Sequence, residues 1–428
     1  MKRVVTVLAV VMAAMFLGLG YRTEASAGTL GTKGVWFSFF EYADAGLGPD
    51  VPESEFRTNA NLLFARIKSN GCNTVYFHVR SFDDAIYPSK VVKWSKRITK
   101  NKEDGLDYDP LKIVISYAHK YGLKFHAWMN PYRVTMKKVL DPGKESTTER
   151  IVAQVKEIVK NYDVDGIHFD DYFYPTNEKK YNKVSKAKRK QNVNKMIRAV
   201  YKTVKAGKKS LKFGISPAGN IEYCEKIGAD VKTWMSEKGY VDYIIPQIYW
   251  SDRYILNGKK TKLFTDRLKE WQEINTNDVP MYIGLALYRA GCKLSDDTGW
   301  GKSSSNLVKQ LAKIRAANTE GYVLFSYVDM YRETAYPEYK KFLSQVSTMR
   351  ISCKKKTLRV GKKFRLRMSA SISRVQNHIK WRSSNNRIAK VTKYGTVKAK
   401  SAGKVRIYGY YGSKKRSCVI RVKGKKKT

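Results

Sequence analysis

The stretch VDGIHFDDYFYP, Val164 to Pro175, sets three Asp and one His among apolar and aromatic residues. Asp170 and Asp171 stand side by side at the end of a short apolar run that follows a helical pattern, ERIVAQVKEIVKNY. A carboxylate removed from water is costly unless it is paired or functional, so an adjacent pair at the end of a buried strand points to chemistry. Glycoside cleavage uses two carboxyl groups directly: one protonates the leaving oxygen and the other is nucleophile or base. Side chains alternate along a strand, so the two Asp face different ways and take different parts. Asp170 is expected as acid or acid/base, its pKa raised by semi-burial and crowded charge. Asp171 is expected as the ionised partner or as a group that orients substrate. Glu41, Glu222 and Asp329, near other strand ends, are further candidates for a second carboxylate.

Other apolar runs end in residues suited to holding sugar. HVR places Arg80 at a rim with His78 below it, and HAWMNPY sets His126, Trp128 and Asn130 on one side of the pleat, followed by Tyr132. PQIYW brings Gln247 and Tyr249 inward next to Trp250, and FSY ends in Tyr327. With His168 and Tyr172 these form a candidate substrate set: aromatic faces for the C–H face of a pyranose, polar groups for its hydroxyls. His78, His126 and His168 fall in one inward layer beneath Asp170, which raises a rival, a metal-dependent hydrolase or deacetylase. The H-x-x-x-H spacing of typical zinc deacetylases is absent, and no metal or cofactor is expected.

The elements that must position these residues repeat as strand, loop, helix from Thr32 to about Ser347. The strands are GVWFSFF, NTVYFHVR, KFHAWMN, GIHFD, KFGISP, YIIPQIYW, MYIGLALY and YVLFSY. Helical patterns lie between them, several ending at Gly71, Gly122 or Gly321, as helices commonly do. Eight such units predict an α/β fold, a (β/α)8 TIM barrel, whose active site lies at the C-terminal ends of the strands. An open doubly wound sheet is the alternative, but no GxGxxG opens a helix after the first strand. Beyond Met349 the pattern turns to short alternating runs with turn signals and no helical period, which predicts a small all-β sandwich.

The two ends of the chain bear on location. Lys2 and Arg3 precede an uncharged apolar run, Val4 to Gly20, and Ala25-Ser26-Ala27 gives a small-x-small pattern. A signal peptide over 1–27 is expected, with an uncleaved anchor as the alternative. The expected division is therefore 1–27, a barrel over 28–347 and a basic domain with a Lys-rich tail over 348–428. Of a net charge of +46, much sits after Ser347, where 27 Lys or Arg occur without one Asp or Glu. For an exported protein the usual reading of such charge, nucleic acid, gives way to anionic cell-wall polymers. No stable partner protein is implied. Cys353 and Cys418 are placed to pair, while Cys72, Cys224 and Cys292 are scattered and match no metal site.

VDGIHFDDYFYP, KFHAWMNPYRV, KFGISP, PQIYW and YIGLALY resemble the glycosyl hydrolase-like family ten proteins. The resemblance implies an exported (β/α)8 barrel acting on a cell-wall or extracellular polysaccharide, with peptidoglycan glycan strands among the candidates. It makes Asp170 and Asp171 the catalytic carboxylates and puts Arg80, His126, Asn130, Gln247 and Tyr249 in the sugar site. Two departures are His78, where Gln is expected, and WFSFFEY in the first strand. The fourth strand is also similar to the D-G-x-D-x-D-x-E motif of family-eighteen chitinases, but Tyr172 stands at their acid Glu. WRSSNNRIAKV…GTVKAKSAGKVRI…CVIRV resembles the group 2 bacterial Ig-like domains, which suggests attachment. The competing function is a non-catalytic glycan-binding surface protein. A second carboxylate about 5–10 Å across the mouth from Asp170 would favour hydrolysis over binding.

Overall fold

The computed structural model describes residues 30–424, except 103, 177 and 318. The expected signal peptide and the last four residues of the Lys-rich tail lie outside the described residues. Eight parallel strands form one sheet: β1 Thr32–Phe37, β2 Thr74–Arg80, β3 Lys124–Met129, β4 Gly166–Phe169, β5 Lys212–Ile215, β6 Tyr243–Ile244, β7 Tyr282–Ala286 and β8 Gly321–Phe325. Neighbours run β7-β8-β1-β2-β3-β4-β5-β6. Bridges Ile244 to Met281 and Gln247 to Gly284 join β6 to β7 and close the ring. The TIM barrel is thereby observed.

Both faces of this sheet are covered. All seven residues of β2 are buried: Val75, Phe77 and Val79 join the layer beneath the helices, and Tyr76 points into the barrel with His78 above it. Between β1 and β2 the helix α1 (Glu53–Ser69) buries Phe56, Ala60, Leu63, Phe64 and Ile67, one stripe at helical spacing. It stops before Gly71, whose φ of +83° suits glycine.

The barrel interior is aromatic: Trp36, Tyr76, Trp128 and Tyr243 pack with Ile245 and Val323. Two strand glycines make room for it. A Cβ on Gly214 would lie 2.2 Å from the Tyr243 ring, and one on Gly166 would lie 2.6 Å from His126 Nδ1. No helix among the described residues is long and apolar enough to cross a membrane.

The C-terminal part is all-β apart from one short helix, Ser373–Asn377, which the alternating sequence pattern did not announce. A four-stranded and a three-stranded sheet enclose Leu358, Leu366, Val397, Val405, Ile407 and Ile420. The short helix also docks on the barrel. Arg374 Nη1 donates to Asn70 Oδ1 (2.7 Å) and to the Met330 carbonyl (2.9 Å), with its guanidinium over Tyr331, Tyr336 and Tyr339. Cys353 and Cys418 are both unbridged, their sulfurs 3.5 Å apart.

Candidate active site

Inward residues at the C-terminal ends of the strands enclose a cleft of about 320 Å³. Asp170 leaves β4 at its floor, 7% exposed. Its Oδ1 accepts from the Asp171 backbone N–H (2.9 Å) and from Gln247 Nε2 (3.1 Å). Gln247 spends its amide a second time on the Ser216 carbonyl at 2.8 Å, so its side chain is fixed. Burial raises the Asp170 pKa, while these bonds and the Arg133 charge oppose the rise. Of the candidate substrate residues, Trp128, Asn130, Tyr172, Gln247 and Tyr249 line the cleft with Asp170.

Asp171 is half-buried and faces away from the cleft, toward Tyr223 and Cys224. Burial, and then the charge of Asp170, push its pKa well above the ordinary carboxylate range. That direction runs against the expected role of an ionised partner. The third acid of the motif, Asp165, lies at the opposite end of β4, accepting from the Phe125 N–H (2.8 Å) and contacting His119 at 3.0 Å.

Several predicted ligands fall elsewhere. The pairing of β2 with β3 shifts register between His78 and Arg80, which turns Arg80 out of the mouth. Arg80 is buried, donating to the Asn130 carbonyl and to Asp83 (3.0 Å), so it braces the third strand end. Tyr132 packs on Phe173, Trp250 on Tyr254, and Tyr327 on Phe37 and Tyr331; none lines the cleft.

His126 and His168 also lie below the cleft, not in it. Trp36 Nε1 donates to His168 Nε2 at 3.3 Å, and Ser216 Oγ contacts the same nitrogen at 3.0 Å. An indole only donates, so His168 Nε2 accepts and the neutral ring carries its proton on Nδ1, toward Tyr243 Oη (3.2 Å). That hydroxyl then donates to His126 Nδ1 at 2.9 Å. Burial lowers the His126 pKa to about 4 and that of His168 well below its usual value. His78 instead faces the cleft, stacked on Trp128 with ring centroids 3.8 Å apart. The three His therefore form no shared site. Among the described residues no group of three or more His, Cys, Asp and Glu could hold a metal ion.

The other proposed carboxylates are committed to the scaffold. Glu41 accepts from the Ser38 N–H (2.6 Å), the Val328 N–H (2.7 Å) and Ser326 Oγ (2.9 Å), and burial raises its pKa to about 7. Asp329 accepts from the Ser326 N–H (3.1 Å) and Arg332 Nε (2.8 Å), and Glu222 is exposed on a short helix. Asp170 is the only acid among the described residues lining the cleft.

The cleft also recruits residues outside the predicted set: Trp36, Ser38, Phe39, Phe40, Arg133, Met136, Ser216, Tyr288 and Phe325, besides His78. Trp36 and Phe325 were legible as inward positions of their strands. Arg133, 3.5 Å over the ring of the half-exposed Tyr172, comes from a loop with no periodic signal. On the His78 wall, four buried polar atoms have no partner among the described residues: Nδ1 and Nε2 of His78, Nε1 of Trp128 and Oδ1 of Asn130.

Known proteins share this architecture. The profile described as Glycosyl hydrolase-like 10 matches residues 33–139 and 135–302, and that of the bacterial Ig-like domain (group 2) matches 345–419. Glycosyl hydrolase YngK of Bacillus subtilis is 31% identical over 286 residues, 53% of this chain and 55% of that protein. The chain thus spans about half the length of that relative. Glycosyl hydrolase DigH of Escherichia coli K12 is 28% identical over 339 residues, 63% of this chain and 76% of that protein. In fold, the glycoside hydrolase domain of PgaB (BpsB) from Bordetella bronchiseptica superposes with a TM-score of 0.50 at 10% identity, over 72% of this chain and 98% of that one. The extent of the profile match shows that this chain belongs to the glycosyl hydrolase-like 10 family and carries a group 2 bacterial Ig-like domain.

Proposed function

We propose that the protein is a glycoside hydrolase that cleaves N-acetylated glycan, with Asp170 as the proton donor. One observation carries this reading: a buried carboxyl with a raised pKa faces a wall of unpartnered polar atoms on His78, Trp128 and Asn130. Buried polar atoms are ordinarily satisfied, and sugar hydroxyls would satisfy these. The aromatic rings of Trp36, Trp128 and Tyr249 supply faces for the pyranose.

With no second acid facing Asp170 among the described residues, the nucleophile is assigned to the substrate. The carbonyl oxygen of a 2-acetamido group attacks the anomeric carbon as the bond to the leaving sugar breaks, and that sugar's oxygen takes the Asp170 proton. Water then opens the cyclic intermediate at the anomeric carbon and returns a proton to Asp170. The Asp171 backbone N–H, 2.9 Å from Asp170 Oδ1, lowers the cost of the transient carboxylate's charge.

Peptidoglycan strands, whose sugars are N-acetylated, fit this chemistry. The charge and apolar pattern of the N-terminus supports export, and the basic Ig-like part supports retention on anionic wall polymers. The absent facing carboxylate also favours a second reading, glycan binding without cleavage. Incubation with peptide-free strands, either N-acetylated or chemically N-deacetylated, followed by mass spectrometry, separates the two. Cleavage of the acetylated strands alone is expected. Cleavage of both equally would contradict the acetamido nucleophile, and retention without fragments would leave a binding protein.

A further inference from the structure

A second hollow, of about 570 Å³, lies in the Ig-like part. It forms where the chain leaves the three-stranded sheet at Arg365, crosses Leu366 and Arg367, and enters the two-stranded sheet at Met368. Four cations, Arg350, Arg365, Arg367 and Lys393, border it, all exposed. The three guanidinium groups make no hydrogen bond or ion pair among the described residues. No neutralising acid is available nearby in sequence, since none occurs after Ser347.

Two aromatic rings share the hollow. Tyr394 is 67% exposed, the most exposed large apolar side chain among the described residues, and Trp381 is half-buried behind it. The turn that presents Tyr394 is built tightly. The Gly395 N–H donates to the Thr392 carbonyl (3.0 Å) and the Tyr394 N–H to Thr392 Oγ1 (3.3 Å). Gly395 has a φ of +82°, and a Cβ there would lie 2.3 Å from the Leu366 carbonyl and 3.0 Å from the Trp381 ring. Only glycine lets this turn close over Trp381 and leave the tyrosine in water.

The remaining wall is the short helix that docks on the barrel. Its Gln376 is spent on the backbone, accepting from the Ala370 N–H (2.5 Å) and donating to the Met368 carbonyl (3.0 Å). Asn377, exposed on the same helix, borders the hollow with its amide. Arg374, between Ile372 and these residues, holds the helix against Asn70 and Met330.

We infer that this hollow is a binding site for a sugar unit that carries a carboxylate or a phosphate. A bare anion would need the cations but no exposed ring, and a neutral sugar would need the ring but not four cations. An anionic sugar uses both: its ring stacks on Tyr394, its charge meets Arg350, Arg365 and Arg367, and a hydroxyl meets the Asn377 amide. The site is separate from the barrel cleft and stands whether or not the cleft is hydrolytic.

The test is calorimetric titration of the full chain with five probes: a galacturonic acid trimer, mannose 6-phosphate, chitotriose, inorganic phosphate and an oligo-dT. The variants are Tyr394→Ala, Arg365→Ser with Arg367→Ser, and Trp128→Ala in the barrel cleft. At least one of the first two probes should bind, and which one identifies the charge. Its affinity should fall tenfold or more in both Ig-like variants and stay unchanged in Trp128→Ala. Circular dichroism of the Ig-like variants should match the wild type, and Tyr394→Phe should retain affinity. Binding of neither charged sugar, binding no tighter than inorganic phosphate, or loss only in Trp128→Ala would overturn the assignment. So would an oligo-dT that binds as tightly as the better sugar.

Discussion

Gln247 Nε2 stands 3.1 Å from Asp170 Oδ1 and 2.8 Å from the Ser216 carbonyl, so one amide ties the β4 carboxyl to the end of β5. Both amide hydrogens are spent, and the carboxyl is held in one orientation over the cleft. Gln247→Ala should lower kcat by roughly 10–100-fold with a smaller change in KM, because it frees the acid without removing it. Steady-state kinetics on a soluble chito-oligosaccharide would show the split. Equal loss in both parameters would mean that Gln247 chiefly holds substrate.

Asp170→Asn should cost on the order of 10²–10⁴ in turnover, the range of general acid catalysis, and leave glycan binding intact. It should not destabilise the fold. A folded-state pKa raised above the unfolded value means that the ionised group opposes folding, and this stability is lost as pH rises through the folded pKa. The amide never carries that charge, so the melting temperature of Asp170→Asn should equal or exceed that of the wild type, by more at higher pH. A clear drop would mean that Asp170 is a structural acceptor.

The pH profile should follow the carboxyl pair. Because the reaction spends a proton from Asp170, kcat should fall on the alkaline side, above the ordinary carboxylate range. The Asp171 backbone N–H and then its side chain lower the Asp170 pKa, and Asp171→Ala removes only the second. Asp171→Ala should therefore move the alkaline limb to higher pH and reduce its plateau. A limb that stays in place would remove Asp171 from the proton account.

The stack of His78 on Trp128 predicts a binding effect without a histidine titration. Burial and the Arg133 charge hold His78 neutral, well below its usual pKa. Trp128→Ala should raise KM by roughly tenfold, about 1.4 kcal/mol. His78→Gln should leave the shape of the kcat/KM profile between pH 6 and 7 unchanged. A lost titration in that window would show that His78 is charged in the working enzyme.

The seam between barrel and Ig-like part rests on Arg374. Arg374→Ala removes two charge-assisted hydrogen bonds and the contact with three tyrosines, a loss of about 2–3 kcal/mol. Scanning calorimetry should resolve one transition in the wild type and two in the variant. One unshifted transition would contradict the seam.

The barrel was legible because its strands are short apolar runs with inward residues at alternate positions, and because Gly71 and Gly122 follow helix ends; Gly321, expected in the same role, opens β8 instead. Asp170, Trp128 and Asn130 follow directly from that alternation, while Gln247 and Tyr249 reach the cleft from beyond the short β6. Arg80 did not, since a register shift turns one residue after a strand has been counted correctly. Tyr132, Trp250 and Tyr327 lie past the strand ends, where the pleat no longer says which way a side chain points. Arg133 and Met136 reach the cleft from a loop, and sequence carries no period for a loop. The raised pKa of Asp171 comes first from burial, which a local sequence pattern does not show.

The most direct test is digestion of peptide-free, N-acetylated glycan strands in ¹⁸O-water by the wild type and Asp170→Asn, with new reducing ends read by mass spectrometry. Hydrolysis at this cleft predicts fragments carrying one ¹⁸O at the new anomeric carbon from the wild type and none from the variant. Unbroken strands that retain both proteins, or labelled fragments from both, would contradict Asp170 as the acid of a glycoside hydrolase.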